Sequence, residues 1–325
     1  MPTLIRPMDG SREDYARFCA IYRAAELSGV ADVDQRISRD ARRRDLGRAV
    51  DYWLAERQGQ VIGVGTAFAM LRYDNPALRF AEIGVLPDHE RQGVATALWA
   101  TMASDLEAAE VSEVMSVAWD HKEGALPFAH GQGFEDLEGE VELALRIDLT
   151  DLNLDPLQPH VDRVTDAGLR LAPLSELQGE FDDWLERVYT LWTTCDAQIP
   201  TTLTHNQPTI EAFRTTELEG PNALDGGWFI ALEGDDWVGV SELRINASAP
   251  WPIFPGLTGV LPSHQGKGVA TALKVLGLRW SQSAGHHRHE TRNLEGNVAM
   301  LAINERLGFQ RCGTWRTLRR RLSPA

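Results

Sequence analysis

The chain has 325 residues, of which 43% are hydrophobic and 24% charged, and a formal net charge of -15 at pH 7. That length fits about two globular domains, each with its own core, and so acidic a surface argues against nucleic acid and anionic membranes as partners. The chain opens with no basic segment leading into an apolar one, no run approaches the ~20 apolar residues of a membrane helix, and Cys19, Cys195 and Cys312 are scattered without a CxxC pair, the usage of a reducing cytoplasm.

Taken in order, residues 4–7 read as a first strand. Residues 14–26 read as a helix with Tyr15, Phe18, Cys19 and Tyr22 on one side. Residues 31–48 are polar and helical. Residues 52–55 and 60–69 form a hairpin turning at Gln58-Gly59. A strand at 79–85 leads into a glycine turn, and strands follow at 112–119 and 140–147, the last alternating Val141, Leu143, Leu145 and Ile147. The stretch before residue 167 has no sustained periodicity, so domains are expected at 1–150 and 167–325 with a linker at 151–166. In the second domain a strand is expected at 168–173 and a helix at 181–192. An irregular polar stretch at 194–204 follows, then strands at 238–245 and 257–261. His286, His287 and His289 fall in a loop, with no Cys or carboxylate set beside them that would make a metal site, and none is expected.

The two domains are copies. Gly84 to Leu98 recurs as Gly259 to Leu273 with eleven of fifteen positions identical at an offset of 175, and Gly133-Phe134 recurs as Gly308-Phe309. The repeated stretch is a strand, a glycine turn and a helix. In the second copy the turn is Gln265, Gly266, Lys267, Gly268, Val269, Ala270 and Thr271, with Val269, Leu273, Leu276 and Trp280 at helical spacing behind it. Glycines let a ligand approach the backbone, and the first N–H groups of a helix lack internal partners, so this pattern suits an anion. It is neither a P-loop, because Gly268 follows Lys267, nor a dinucleotide fingerprint, because the third glycine is absent.

Gln265-x-x-Gly268-x-Ala270 between strand and helix resembles the acyl-CoA pyrophosphate motif of the GNAT superfamily of N-acetyltransferases. Asn297, Asn304 and Leu307-Gly308-Phe309 resemble the family's next segment. The tandem arrangement is similar to mycothiol-synthase-like two-domain acyltransferases, although no residue demands mycothiol chemistry. The resemblance implies an α/β (α+β) fold of two tandem GNAT-like domains, each a mixed, mainly antiparallel sheet flanked by helices. It implies acetyl-CoA as co-substrate, held by Val260, Gln265–Thr271 and Asn297, and in the first copy by Arg91, Gln92, Gly93, Val94, Ala95 and Thr96. It further implies direct attack of an amine on the thioester, in which positioning and donors aimed at the developing charge carry most of the benefit.

Several positions depart from the family pattern. Asn304 and Ala129 stand where the usual acidic Tyr is expected. Glu90 replaces the expected Gln or Arg, and Lys122 stands where the second copy has Asn297. The second copy is therefore expected to be catalytic and the first degenerate. Asn304 can donate a hydrogen bond to a thiolate, and Glu242, an acidic residue inside a strand, is the candidate base, with an Arg244-paired glutamate as the structural alternative. His89 and His264 are expected to support the turns, and Cys195 to be structural. The expected acceptor is an amine on a small molecule, in a cytoplasmic monomer or homodimer. The alternatives are a protein N-acetyltransferase and a non-catalytic acyl-CoA sensor, the second favoured by the missing Tyr.

Overall fold

In the computed structural model, residues 2–27, 32–70, 73, 75–203, 206–220, 222–246 and 249–322 are described. The ends of two stretches expected from the sequence, Ala31 and Thr204, lie outside them. The described residues divide into two units. The first runs to Val141 and takes in Asn206 and the chain from Trp315 on; the second holds Glu142–Leu203 and Gln207–Thr314.

The first unit opens with β1 (Leu4–Pro7), α1 (Arg12–Ala24) and α2 (Val33–Asp45). Ser11 and Asp32 cap these helices by accepting from the N–H groups of Asp14 and Gln35. Strands β2 (Val50–Arg57) and β3 (Gln60–Phe68) form the expected hairpin, and Gln58 and Gly59 both take positive φ, as a two-residue hairpin turn requires. Then come β4 (Leu78–Val85), α3 (Val94–Ala108), β5 (Glu113–Trp119), α4 (Ala125–Gly131) and the long β6 (Glu135–Asp148). Helix α3 closes a core of Trp99, Met102 and Leu106 on one face of the sheet, and Phe18, Tyr22 and Tyr52 build a second core with α1.

The second unit repeats the plan. Its elements are α5 (Gln158–Asp166), β7 (Leu169–Pro173), α6 (Leu174–Leu177), α7 (Trp184–Asp196), α8 (Ile210–Phe213), β8 (Ala223–Glu233), β9 (Asp236–Asn246), β10 (Ala249–Val260), α9 (Val269–Ser283), β11 (Arg288–Leu294), α10 (Val298–Arg306) and β12 (Gln310–Arg321). A 3-10 turn precedes each repeated helix, at Pro87–His89 and Pro262–His264. The stretch read as a linker is largely helical: α5 fills 158–166 and buries Val164. A single short turn set, with one strongly buried side chain, leaves little periodicity to read in the sequence. His289 sits inside β11 rather than in a loop, and β10 begins earlier than expected because its prolines mask the strand pattern.

The last strand of each repeat does not stay with its own repeat. In the first unit β5 pairs antiparallel with residues 315–321 of β12, from Trp315↔Trp119 to Arg321↔Glu113. In the second unit β11 pairs antiparallel with residues 142–148 of β6, from Leu294↔Glu142 to Arg288↔Asp148. Both strands are long, 14 and 12 residues, about twice the usual length. Among the described residues, no helix is long and apolar enough to cross a membrane.

Candidate active site

The two faces of the second sheet carry different chemistry. Ser241 and Leu243 of β9 face α9, while Glu242 and Arg244 face α7 by the alternation of a strand. On the α9 side, Val269, Ala272 and Leu273 pack with Leu243 and Ile253. On the α7 side, Trp192, Phe213, Trp228 and Val240 form the core. The packing there is close enough that a Cβ at Gly259 would sit 2.3 Å from Cys195 Cβ. Burial pushes the Cys195 thiol up to about 12, which makes it a packing residue and a poor nucleophile.

At the end of β10 the chain enters the glycine turn. Gly266 and Gly268 have φ of 73° and 88°, and in the first repeat Arg91 and Gly93 take the same left-handed conformation at 59° and 78°. A Cβ built at Gly266 or Gly93 would meet nothing within 4 Å, so the concave side of each turn is open. Among the described residues no backbone acceptor meets the N–H groups of Gly266, Lys267 or Gly268. Gly268 brings no side chain to cap α9, so the N–H groups of Val269, Ala270 and Thr271 also point out of the helix end. Together these donors fit a pyrophosphate.

The side chains of the turn hold it in shape. Gln265 Nε2 donates to Val260 O at 3.1 Å and to Gln198 Oε1 at 2.6 Å, tying the turn to its own strand and to the chain just after α7. His264, expected as a turn support, bridges Ser263 Oγ at 2.9 Å and Glu233 Oε2 at 3.0 Å. In the first repeat Gln92 Oε1 accepts from Arg57 at 2.7 Å and its Nε2 donates to Asp88 O at 2.9 Å. Val94, Ala95 and Thr96 open α3, and Lys122 pairs with Glu26 at 2.5 Å. His89 has its Nδ1 buried with no partner among the described residues. Asn297 caps α10 by accepting from Met300 N at 3.2 Å. Asn304 is fully buried; its Nδ2 donates to Asn293 Oδ1 at 2.6 Å, and its Oδ1 has no partner among the described residues.

Between turn and core, β10 is irregular in a way β4 is not. Its register with β9 slips between Pro255↔Leu243 and Thr258↔Ser241, a bulge at Gly256 and Leu257, whereas β3 and β4 pair without a slip. Glu242 fills the bulge. Its Oε1 accepts from Leu257 N at 3.0 Å and Trp192 Nε1 at 3.2 Å, and both of its oxygens accept from Arg244 Nη2, at 3.0 and 2.9 Å. Arg244 also pairs with Glu217, from the π-helical turn Arg214–Leu218 that follows α8. Burial raises the Glu242 carboxyl above its usual range, with Arg244 pulling the other way. Glu242 is 1% exposed, while the Glu217 side chain keeps 19% of its surface. The sequence singled out Glu242 and Arg244; it missed Glu217, whose only signal is a carboxylate in the stretch before β8.

On its far edge β10 is largely unpaired. Among the described residues its parallel ladder with β11 is the single pair Ile253↔His289, after which the strands part; β4 and β5 make three such pairs before parting. A sheet that opens after its middle, with an anion turn at the head of the free edge, offers an extended slot for a long ligand with a phosphate end.

The comparisons agree with this geometry. The profile of the "Acetyltransferase (GNAT) family" matches residues 16–134 and 185–309, one match per repeat. No curated protein matches the chain. Among solved structures, a tandem GNAT protein from the clavulanic acid biosynthesis pathway is 16% identical, covers 100% of both chains and superposes with a TM-score of 0.74. A GCN5-related N-acetyltransferase from Sphaerobacter thermophilus is 18% identical over 99% of this chain and 96% of that one, with a TM-score of 0.65. A glucosamine N-acetyltransferase region of a fungal multi-domain β-N-acetylglucosaminidase is 12% identical over 98% of this chain and 38% of that one, at 0.70. At these identities the structures speak for the fold alone, but the profile spans most of the chain and lands on both glycine turns, so the protein belongs to the GNAT family of acetyltransferases, with two repeats of the family fold in one chain.

Proposed function

We propose that the chain transfers an acetyl group from acetyl-CoA to an amine of a small molecule, and that the second repeat carries the reaction. The observation behind this reading is the difference between the repeats. Only the second combines the open turn with a bulged strand, a long free edge, and a buried carboxylate–guanidinium–carboxylate set on the α7 face. In this reading the N–H groups of residues 266–271 and Lys267 hold the pyrophosphate, and the free edge of β10 from the turn to Phe254 orients the pantetheine arm. Val260 lies at the head of that edge, where Gln265 is anchored.

The amine enters from the α7 face. Glu217, the more exposed carboxylate on Arg244, meets the ammonium and takes up its proton. Glu242 fixes the bulge by holding Leu257 N, so that the strand presents its remaining groups in one geometry. The chain's acidity favours a cationic acceptor.

A calorimetric titration with acetyl-CoA tests the core of the proposal. One site per chain, lost in Gly268→Glu, supports a binding second repeat beside a scaffolding first one. Two sites give the first repeat a binding role as well. Absence of binding refutes the reading. Release of free CoA thiol on adding small amines, but not peptides with a free N-terminus, separates a small acceptor from a protein one.

A further inference from the structure

On the α9 face, where β10 and β11 part, lies a small cavity of about 10 Å³, room for roughly one water. Its wall carries Ser241 from β9, Pro255 from the bulged strand, His289 from the last paired position of β11, Phe309, and Lys274 from α9. Lys274 is 5% exposed, and its Nζ lies 5.6 Å from the centre of the Phe309 ring. No ion pair to Lys274 exists among the described residues, and no carboxylate lines the cavity. The neighbouring titratable group, His289, is 1% exposed, with Nε2 against Ser281 Oγ at 2.7 Å and Nδ1 without a partner. Burial and the nearby Lys274 hold the imidazole neutral, near a pKa of about 3, so it adds no charge.

The fold itself does not require this polar cluster, because the first repeat shows the same positions filled otherwise. By the repeat offset Lys274 corresponds to Trp99, His289 to Val114 and Ser241 to Gly65. Trp99 packs on Phe134 at 4.9 Å, just as Lys274 lies over Phe309, and Val114 and Trp99 belong to an ordinary apolar core. A buried cation without a counter-charge is costly, and only the second repeat carries it. It lies where β10 and β11 part, at the end of the slot along β10.

We infer that Lys274 is the cation that stabilises the departing CoA thiolate of the second repeat. The inference rests on the acetyl-transfer reading of the second repeat. In the step, the acceptor nitrogen forms its bond to the acyl carbon and the C–S bond breaks with its electron pair on sulfur. Lys274 keeps its proton beside the sulfur; the nitrogen sheds its remaining extra proton to solvent as the amide forms, and CoA leaves as the thiolate and is protonated by solvent. Burial pulls Lys274 down to about 8, so the amine still carries its proton at neutral pH. The unpaired ammonium stabilises the negative charge that gathers on sulfur as the C–S bond breaks.

The test uses CoA itself as probe and needs no acceptor. The ionisation of bound CoA thiol is followed by its ultraviolet thiolate absorbance across pH, in the wild type, Lys274→Met and Lys274→Arg. The expected result is a bound thiol that ionises roughly 1–3 pH units below free CoA in the wild type. The shift persists in Lys274→Arg and is absent in Lys274→Met, with CoA still bound by all three. A bound thiol that titrates like free CoA in the wild type, or a shift that survives in Lys274→Met, overturns the inference and leaves the binding site intact. Failure of the wild type to bind CoA overturns the acetyl-transfer reading and this inference with it.

Discussion

Replacing Lys274 by Met should make the protein more stable at neutral pH. Methionine keeps an unbranched stem of similar length and removes a charge that has no partner in the cavity wall. The folded amine titrates near 8 against 10.5 for the free group, through desolvation. At ~1.4 kcal/mol per unit, holding the proton in the folded state costs about 3 kcal/mol. Below pH 8 both folded and unfolded chains carry the proton and the cost is felt in full. Between pH 8 and 10.5 only the unfolded chain holds it, so wild-type stability rises with pH, and above 10.5 the cost is gone. The variant should therefore exceed the wild type by about 3 kcal/mol at pH 7, roughly 6–12 °C in the melting of the second unit. The gap should close toward zero by about pH 10.5. Urea unfolding followed by tryptophan fluorescence, with both proteins run at pH 7 and pH 10, reads the difference directly. Equal stability at pH 7, or a gap that does not shrink with pH, would refute the description of Lys274 as a buried, uncompensated cation. A stabilised variant would mean that the native residue gives up stability at this position, as functional sites commonly do.

Gly268→Glu should abolish CoA binding at the second turn, since it places a side chain and a like charge where the phosphates belong, at a φ of 88° that disfavours any side chain. Gly93→Glu should leave turnover largely intact; calorimetry and a coupled assay read the two. Glu242→Gln should cost on the order of 2–3 kcal/mol of stability, because a buried charged acceptor for Arg244, Trp192 and Leu257 N is lost. Glu217→Gln should reduce turnover with little change in melting, and the opposite ranking would assign the proton to Glu242. Deleting residues 315–325 removes the strand paired with β5 and the buried Leu318 and Leu322. The first unit should then become protease-sensitive while residues 207–314 stay protected, and equal protection of both would contradict the strand exchange.

The turn and its helix were legible because their physics is local. Glycines at 266 and 268 and the helix N-terminus behind them sit within twenty residues of chain, a second copy stands at a fixed offset of 175, and the structure realises both with matching left-handed φ values. The hairpin at Gln58-Gly59 was legible for the same reason. Glu242 was visible as an acidic residue in a strand. Whether it would face solvent, Arg244 or a substrate depended on α7, which lies some fifty residues earlier in the chain and buries the carboxylate under Trp192.

What the sequence determined by itself is the family, the duplication and the anion turn, each written in contiguous residues. Which strand pairs with which, where β10 bulges, and that Lys274 is buried beside a small cavity were decided only by tertiary structure. Each depends on how separate elements pair or pack, which no single stretch encodes: β12 with β5, far apart in sequence, β9 with β10, and α9 with β11 and Phe309. A lysine between Leu273 and Val275 reads locally as the polar face of a helix. Only when the sheet and Phe309 pack against it does the amine lose most of its water, and that loss lowers its pKa.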